Sequence, residues 1–155
     1  MNLRRYHSED WTEVAKLFYD TVHSINAADY TEIQLNAWVP EDMDLPELES
    51  RLSNTYSVVV ENGGIIIGFG NENGTGYFDC LYVHKDYQRM GVGSLIADNI
   101  EGYFFDMGIQ IITTDASITA KPFFEKRGYV VLKRQNVKTR GHGFINFKMQ
   151  KELYQ

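Results

Sequence analysis

Short runs of apolar residues alternate with polar punctuation along this chain, and the period of the runs switches repeatedly between that of a strand and that of a helix. Leu3 to Tyr6 fits a first short strand. After the cap-type residues Ser8-Glu9-Asp10, Val14, Leu17, Phe18, Thr21 and Val22 recur at helical spacing as far as Ile25-Asn26. Thr31 to Leu35 predicts a second short helix closed off around Pro40, and Asp44-Leu45-Pro46-Glu47 opens a third with proline in its first turn. The period then shortens. Tyr56 to Glu61 is β-branched and apolar, Asn62-Gly63-Gly64 signals a hairpin, and Ile65 to Asn71 returns as its partner. A second turn, Asn73-Gly74-Thr75-Gly76, leads into a third strand, Tyr77 to Val83.

The helical period resumes over Gly91 to Met107, with Leu95, Ile96, Ile100 and Phe104 on one side and Gly108 as the stop. Ile109 to Thr114 reads as a strand, and Thr119 to Arg127 as a helix that tolerates Pro122 early and ends at Gly128. Tyr129 to Val137 and Phe144 to Met149 flank the loop 139–143 as a last hairpin would. This order predicts an α+β fold, a mixed and mostly antiparallel sheet with helices on both faces.

Composition narrows the function classes. The 155 residues are 43% hydrophobic and 23% charged, enough apolar surface for one core, and the expectation is a single domain over 1–155. With 15 Lys plus Arg against 21 Asp plus Glu, the net charge of -6 argues against a general nucleic-acid binder. The lone Cys80 excludes an internal disulfide and a multi-cysteine zinc site, and fits a reducing compartment. His7, His84 and His142 fall in separate elements, so no metal is expected. The opening residues hold no apolar stretch and the densest apolar segment, Gly63 to Gly70, is too short to cross a membrane; the expected location is cytoplasmic.

The most informative stretch is Leu81-Tyr82-Val83-His84-Lys85-Asp86-Tyr87-Gln88-Arg89-Met90-Gly91-Val92-Gly93-Ser94, a strand running through a glycine-punctuated loop into a helix. Such a junction aims unsatisfied N–H groups and the positive end of a helix dipole at one point, where a phosphate fits. An ordinary strand-to-helix loop with glycines used for packing is the competing reading. Neither a Walker loop nor the three-glycine dinucleotide fingerprint matches.

The segment Gln88-Arg89-Met90-Gly91-Val92-Gly93 resembles the acyl-CoA pyrophosphate loop of the GCN5-related N-acetyltransferase (GNAT) family. The likeness continues in Ser117-Ile118-Thr119-Ala120-Lys121-Pro122-Phe123-Phe124-Glu125-Lys126-Arg127-Gly128-Tyr129, and in element order it extends from about Leu3 to Met149. It implies acetyl-CoA as cosubstrate, its pantetheine arm lying along the backbone of Leu81, Tyr82 and Val83. The amides of Arg89, Met90, Gly91, Val92, Gly93 and Ser94 are then expected around the pyrophosphate, with Gln88 supporting the loop. Arg89, Lys121 or Lys126 is the expected partner of the outer phosphate, and Ser117, Ala120 and Phe124 are expected to border the cofactor.

The chemistry implied is attack of a neutral primary amine of a small molecule or peptide on the thioester in a ternary complex, which needs a proton acceptor. Relatives often place a glutamate near Tyr77, where this chain has none. Asp79, two residues along and expected on the same strand face, is the leading catalytic candidate; an ammonium anchor or a structural acceptor are its other readings. Cys80 is expected to alternate away from Asp79. The tyrosine that relatives use as proton donor to sulfur is Phe124 here, so the role falls vacant. Ser117 is expected either to hydrogen-bond near the sulfur or to cap a helix. His23 is expected to share in proton transfer, and His23, Asn26, Tyr30, Trp38 and Tyr77 to contact the acceptor. The alternatives are a non-catalytic acyl-CoA-binding module and a transferase using another donor or acceptor. The resemblance also admits a homodimer through the final hairpin.

Overall fold

The computed structural model describes residues 1–153, so the last two positions of the expected 1–155 domain lie outside the described residues. The elements run β1 (Asn2–Arg5), α1 (Trp11–Ser24), α2 (Glu32–Trp38), α3 (Leu45–Ser53), β2 (Tyr56–Asn62), β3 (Ile65–Glu72), β4 (Tyr77–Val83), α4 (Val92–Asp106), β5 (Ile111–Ser117), α5 (Lys121–Lys126), β6 (Val130–Thr139) and β7 (His142–Glu152). The strands form one sheet in the order β1-β2-β3-β4-β5-β7-β6. Every neighbouring pair is antiparallel except β4 and β5.

Local chemistry accounts for many of the boundaries. Thr31 caps α2 by accepting from the Gln34 amide, while the Gln34 side chain takes the Thr31 N–H in return. Asp44 caps α3 through the Glu47 amide. Gly63 and Gly64 both adopt positive φ, 61° and 82°, the geometry that matches a two-residue turn to the twist of β2 and β3. The strand expected from Ile109 starts only at Ile111. Gly108 N–H bonds Phe105 O and Ile109 N–H bonds Phe104 O, so Ile109 still closes α4. α5 is likewise shorter than expected, because Thr119 and Ala120 precede its first turn.

Each sheet face has its own core. On one, Val58, Val60, Ile67, Phe78 and Ile112 pack under Ile96, Ile100 and Phe104 of α4. Gly70 lets α4 come close, since a Cβ there would stand 2.7 Å from Ile96 Cγ2. On the other face, Val59, Phe69 and Cys80 meet Val14 and Leu17 of α1 and Leu48 and Leu52 of α3. A third cluster seats α2 on the start of β7 through Tyr30, Leu35 and Phe144. Among the described residues no helix is long and apolar enough to cross a membrane.

Candidate active site

The sheet opens at its one parallel contact. β4 and β5 pair only at Tyr77 with Thr113 and Phe78 with Thr114, and then diverge. On its other side β4 stays zipped to β3, and the His84 N–H to Ile67 O bond (2.8 Å) fixes the register. Alternate residues of an antiparallel strand point their amides to opposite sides. His84, Tyr82 and Cys80 therefore face β3, while the backbone groups of Leu81 and Val83 face the opening. A cleft of about 190 Å³ occupies it, bordered by Leu81, Val83, Gln88, Gly93, Ser117, Ala120 and Phe124 among others. The Val83 carbonyl already accepts from Thr21 Oγ1 (3.0 Å) and Gln88 Nε2 (2.8 Å), so Gln88 pins the loop to the strand.

Beyond Gln88 the backbone turns left-handed at Arg89 (φ 61°) and again at Gly91 (φ 85°), which caps α4. No acidic residue stands in the first turn of this 15-residue helix, so its free N–H groups keep their positive potential. Gly93 lies against Phe123, whose Cε1 would be 3.3 Å from an added Cβ. Val92 is buried under the sheet and offers the loop only its backbone; Arg89, Met90 and Ser94 are exposed. Lys121 is drawn to Glu125 (3.8 Å) and the Phe147 ring, and Lys126 is exposed on α5 outside the cleft lining. Arg89 forms no ion pair among the described residues and stands at the loop itself.

Alternation fails on β4 at Asp79 and Cys80. Asn71 opposes Cys80 and Glu72 opposes Phe78, which leaves Asp79 as the extra residue of a bulge. Asp79 and Cys80 consequently share the α1–α3 face, contrary to the expectation that Cys80 points away. The Cys80 thiol is pushed up to about 12 by burial first and then by the Asp79 charge, which keeps it protonated and unreactive. Asp79 Oδ2 accepts from Arg51 Nε (2.8 Å) and Asn71 Nδ2 (3.1 Å), and Oδ1 accepts from Arg51 Nη2. Arg51, on the polar face of α3, carried no signal in the sequence.

Two further cavities lie on that face, of about 500 and 290 Å³, sharing Trp38, Arg51, Asp79, Tyr82 and Thr139. Tyr77 and Tyr30 line the smaller one. The Tyr77 hydroxyl donates to Asp115 Oδ2 (2.7 Å), and burial followed by that carboxylate raises the phenol well above its ordinary value. The Tyr30 hydroxyl donates to Ile145 O (2.6 Å) and accepts from Ile118 N–H (2.9 Å), clamping the ends of β5 and β7. Asn26 and Ser117 meet in the cleft, Nδ2 to Oγ at 3.5 Å, and Ser117 Oγ also accepts the Ala120 N–H (3.0 Å). Phe124 is buried edge-on against Phe78 and Tyr129, its ring forming part of the cleft wall.

His23 is not brought to the site. Its Nε2 lies 2.7 Å from Val39 O and its ring stacks on Tyr19, and it lines none of the three cavities. The pull is tertiary: His23 ties the last turn of α1 to the end of α2. The sequence reading also missed Asp115. Its signal was the alternation of Thr113, Asp115 and Ser117 on one face of β5.

A forked β4–β5 pair, a glycine-shaped helix N-terminus beside it and a polar cavity behind make up the candidate site. Comparison with known proteins gives the family. The model of the acetyltransferase (GNAT) domain matches residues 26–153. The uncharacterized N-acetyltransferase YafP of Escherichia coli is 30% identical over 97% of this chain and 95% of its own. The chain belongs to the GNAT acetyltransferase family, for which acetyl-CoA is the typical cosubstrate. A GCN5-related N-acetyltransferase from Rhodopseudomonas palustris is 36% identical and superposes with a TM-score of 0.95, covering 98% of this chain and 95% of that one. The PaiA N-acetyltransferase of Thermoplasma acidophilum, solved with coenzyme A, shares the fold at 16% identity, with a TM-score of 0.80 and 98% of each chain covered.

Proposed function

We propose that this single domain works in the cytoplasm and moves the acetyl group of acetyl-CoA directly to a primary amine of a small molecule or peptide, both substrates being bound together. The observation that carries this reading is the fork: the cofactor cleft and the acceptor cavity open on either side of the same few residues of β4 and β5. Acetyl-CoA supplies an activated acyl carbon. Gap-facing amides of Leu81 and Val83 suit an extended amide-bearing arm, because a backbone N–H left unpaired at a sheet opening is a ready donor. The Leu81 N–H, just past the bulge, is the donor assigned to the thioester oxygen as negative charge develops there.

The loop amides from Arg89 to Ser94 hold the diphosphate, with Arg89 for the outer phosphate. Ser117 Oγ accepts two N–H bonds, which leaves its own proton free for the departing sulfur. With Phe124 unable to donate, that hydroxyl and solvent serve the thiolate. Asp79, engaged by Arg51 and Asn71, serves as the anchor that orients Arg51 toward the acceptor. Trp38, Tyr30 and Tyr82 give the acceptor an aromatic wall.

Calorimetric titration with acetyl-CoA, followed by thiol release across a panel of amines, tests the proposal. Saturable binding and amine-dependent thiol release are expected. Binding without release on any amine would instead establish a non-catalytic acyl-CoA module, and no binding at millimolar coenzyme A would remove the reading altogether.

A further inference from the structure

Asp79, Tyr82, Asp115 and Ser117 line both the cofactor cleft and the smaller acceptor cavity, so a group passing between the two meets them. Two are carboxylates, and they differ in what they already hold. Asp79 is neutralised by a two-pronged guanidinium and has a third donor in Asn71. Asp115 receives one bond on each oxygen, from the Tyr77 hydroxyl (2.7 Å) and from Gln135 Nε2 (2.9 Å), and both donors are neutral. Lys148, opposite it on β7, forms no ion pair with it among the described residues. The Asp115 charge is thus open to a cation, and each of its oxygens has a lone pair left over.

We infer that Asp115 is the carboxylate that receives the acceptor's ammonium and takes its proton, with Tyr77 fixing the carboxylate's orientation. This rests on the amine acetylation proposed above. In the step, the ammonium gives one proton to Asp115 and the freed nitrogen lone pair forms the N–C bond to the thioester carbon. The tetrahedral intermediate then breaks its C–S bond. The second nitrogen proton goes to the leaving thiolate, giving amide and free thiol, and Asp115 returns its proton to solvent. Burial keeps the Tyr77 phenol protonated, so it remains a donor to Asp115 throughout.

The test compares Asp115→Asn with the wild type on two acceptors, an alkylamine that is cationic at neutral pH and an aniline that is not. Asp115 is exposed and the substitution keeps its shape, and calorimetry with acetyl-CoA reports whether the fold and cofactor site survive. The expected result is unchanged acetyl-CoA affinity, a fall of about 100-fold in kcat/KM for the alkylamine, and a change under about threefold for the aniline, which has no proton to lose before attack. Tyr77→Phe is expected to reproduce the same selectivity more weakly. Wild-type activity retained on the alkylamine, or equal losses on both acceptors, would overturn the assignment of Asp115 and leave the acetylation intact. A wild type silent on both amines would overturn the acetylation and this step with it.

Discussion

Asp79 sits at the bulge of β4 and grips the guanidinium of Arg51 from α3 with both carboxylate oxygens, joining residues 28 positions apart in the chain. The pair lines both cavities on the α1–α3 face, so it stands where the two meet.

Removing Arg51 should therefore affect the acceptor and spare the cofactor. For Arg51→Ala we expect a raised acceptor KM at constant acetyl-CoA affinity. Arg51 is 46% exposed, so solvent screening holds the stability loss to about 1 kcal/mol or less, a shift of roughly 2–4 °C in a chain of this length. Arg51→Lys should recover little, because an ammonium cannot bridge both oxygens. Steady-state kinetics with thermal melts checks this, and a change confined to acetyl-CoA binding would count against it.

Gly91 and Gly93 should fail for different reasons. Gly91→Ala meets no neighbour but forces a side chain into φ 85°, at a cost of about 1–2 kcal/mol. Gly93→Val keeps its backbone angles and drives carbon into Phe123 and the cleft. The expectation is a lower Tm for the first and a sharper loss of coenzyme A affinity for the second, read by melts and calorimetry on both.

Glu72 is buried in β3, where burial raises its pKa above the ordinary carboxylate value despite the bond from the Gly74 N–H (2.7 Å). A raised acid binds more protons folded than unfolded, so it erodes stability as pH climbs from its unfolded value of about 4.5 through its folded one. Glu72→Gln keeps an acceptor for Gly74 without the charge. It should raise Tm at pH 7 and lose that advantage near pH 4; an advantage unchanged across that range would contradict the account.

Cys80 should resist alkylation. With its thiol pushed up to about 12 and the side chain buried, iodoacetamide at pH 8 is expected to label it only as fast as the protein unfolds. Mass spectrometry in native buffer and in denaturant gives the comparison, and rapid native labelling would mean that the β4 face is more open than its packing indicates.

The elements that could be read from the chain are those whose causes are local. Gly63-Gly64 turns because both residues take positive φ, and Thr31 with Gln34 starts a helix by exchanging hydrogen bonds over three residues. The loop from Gln88 to Gly93 was legible for the same reason, since its glycine and the helix behind it are contiguous. His23 and Cys80 misled because their surroundings come from elsewhere. Val39 O claims the His23 ring, and the mismatch between β3 and β4 turns Cys80 toward Asp79.

The amino-acid order alone was enough for the family, the α+β layering and the glycine turn that joins β4 to α4, because the turn residues and the helix they open are contiguous in the chain. Only the folded sheet decided which carboxylate is occupied and which is open. That depends on contacts between distant elements: α3 lays Arg51 against Asp79, while the regular ladder of β5 leaves Asp115 facing the cavity with neutral partners.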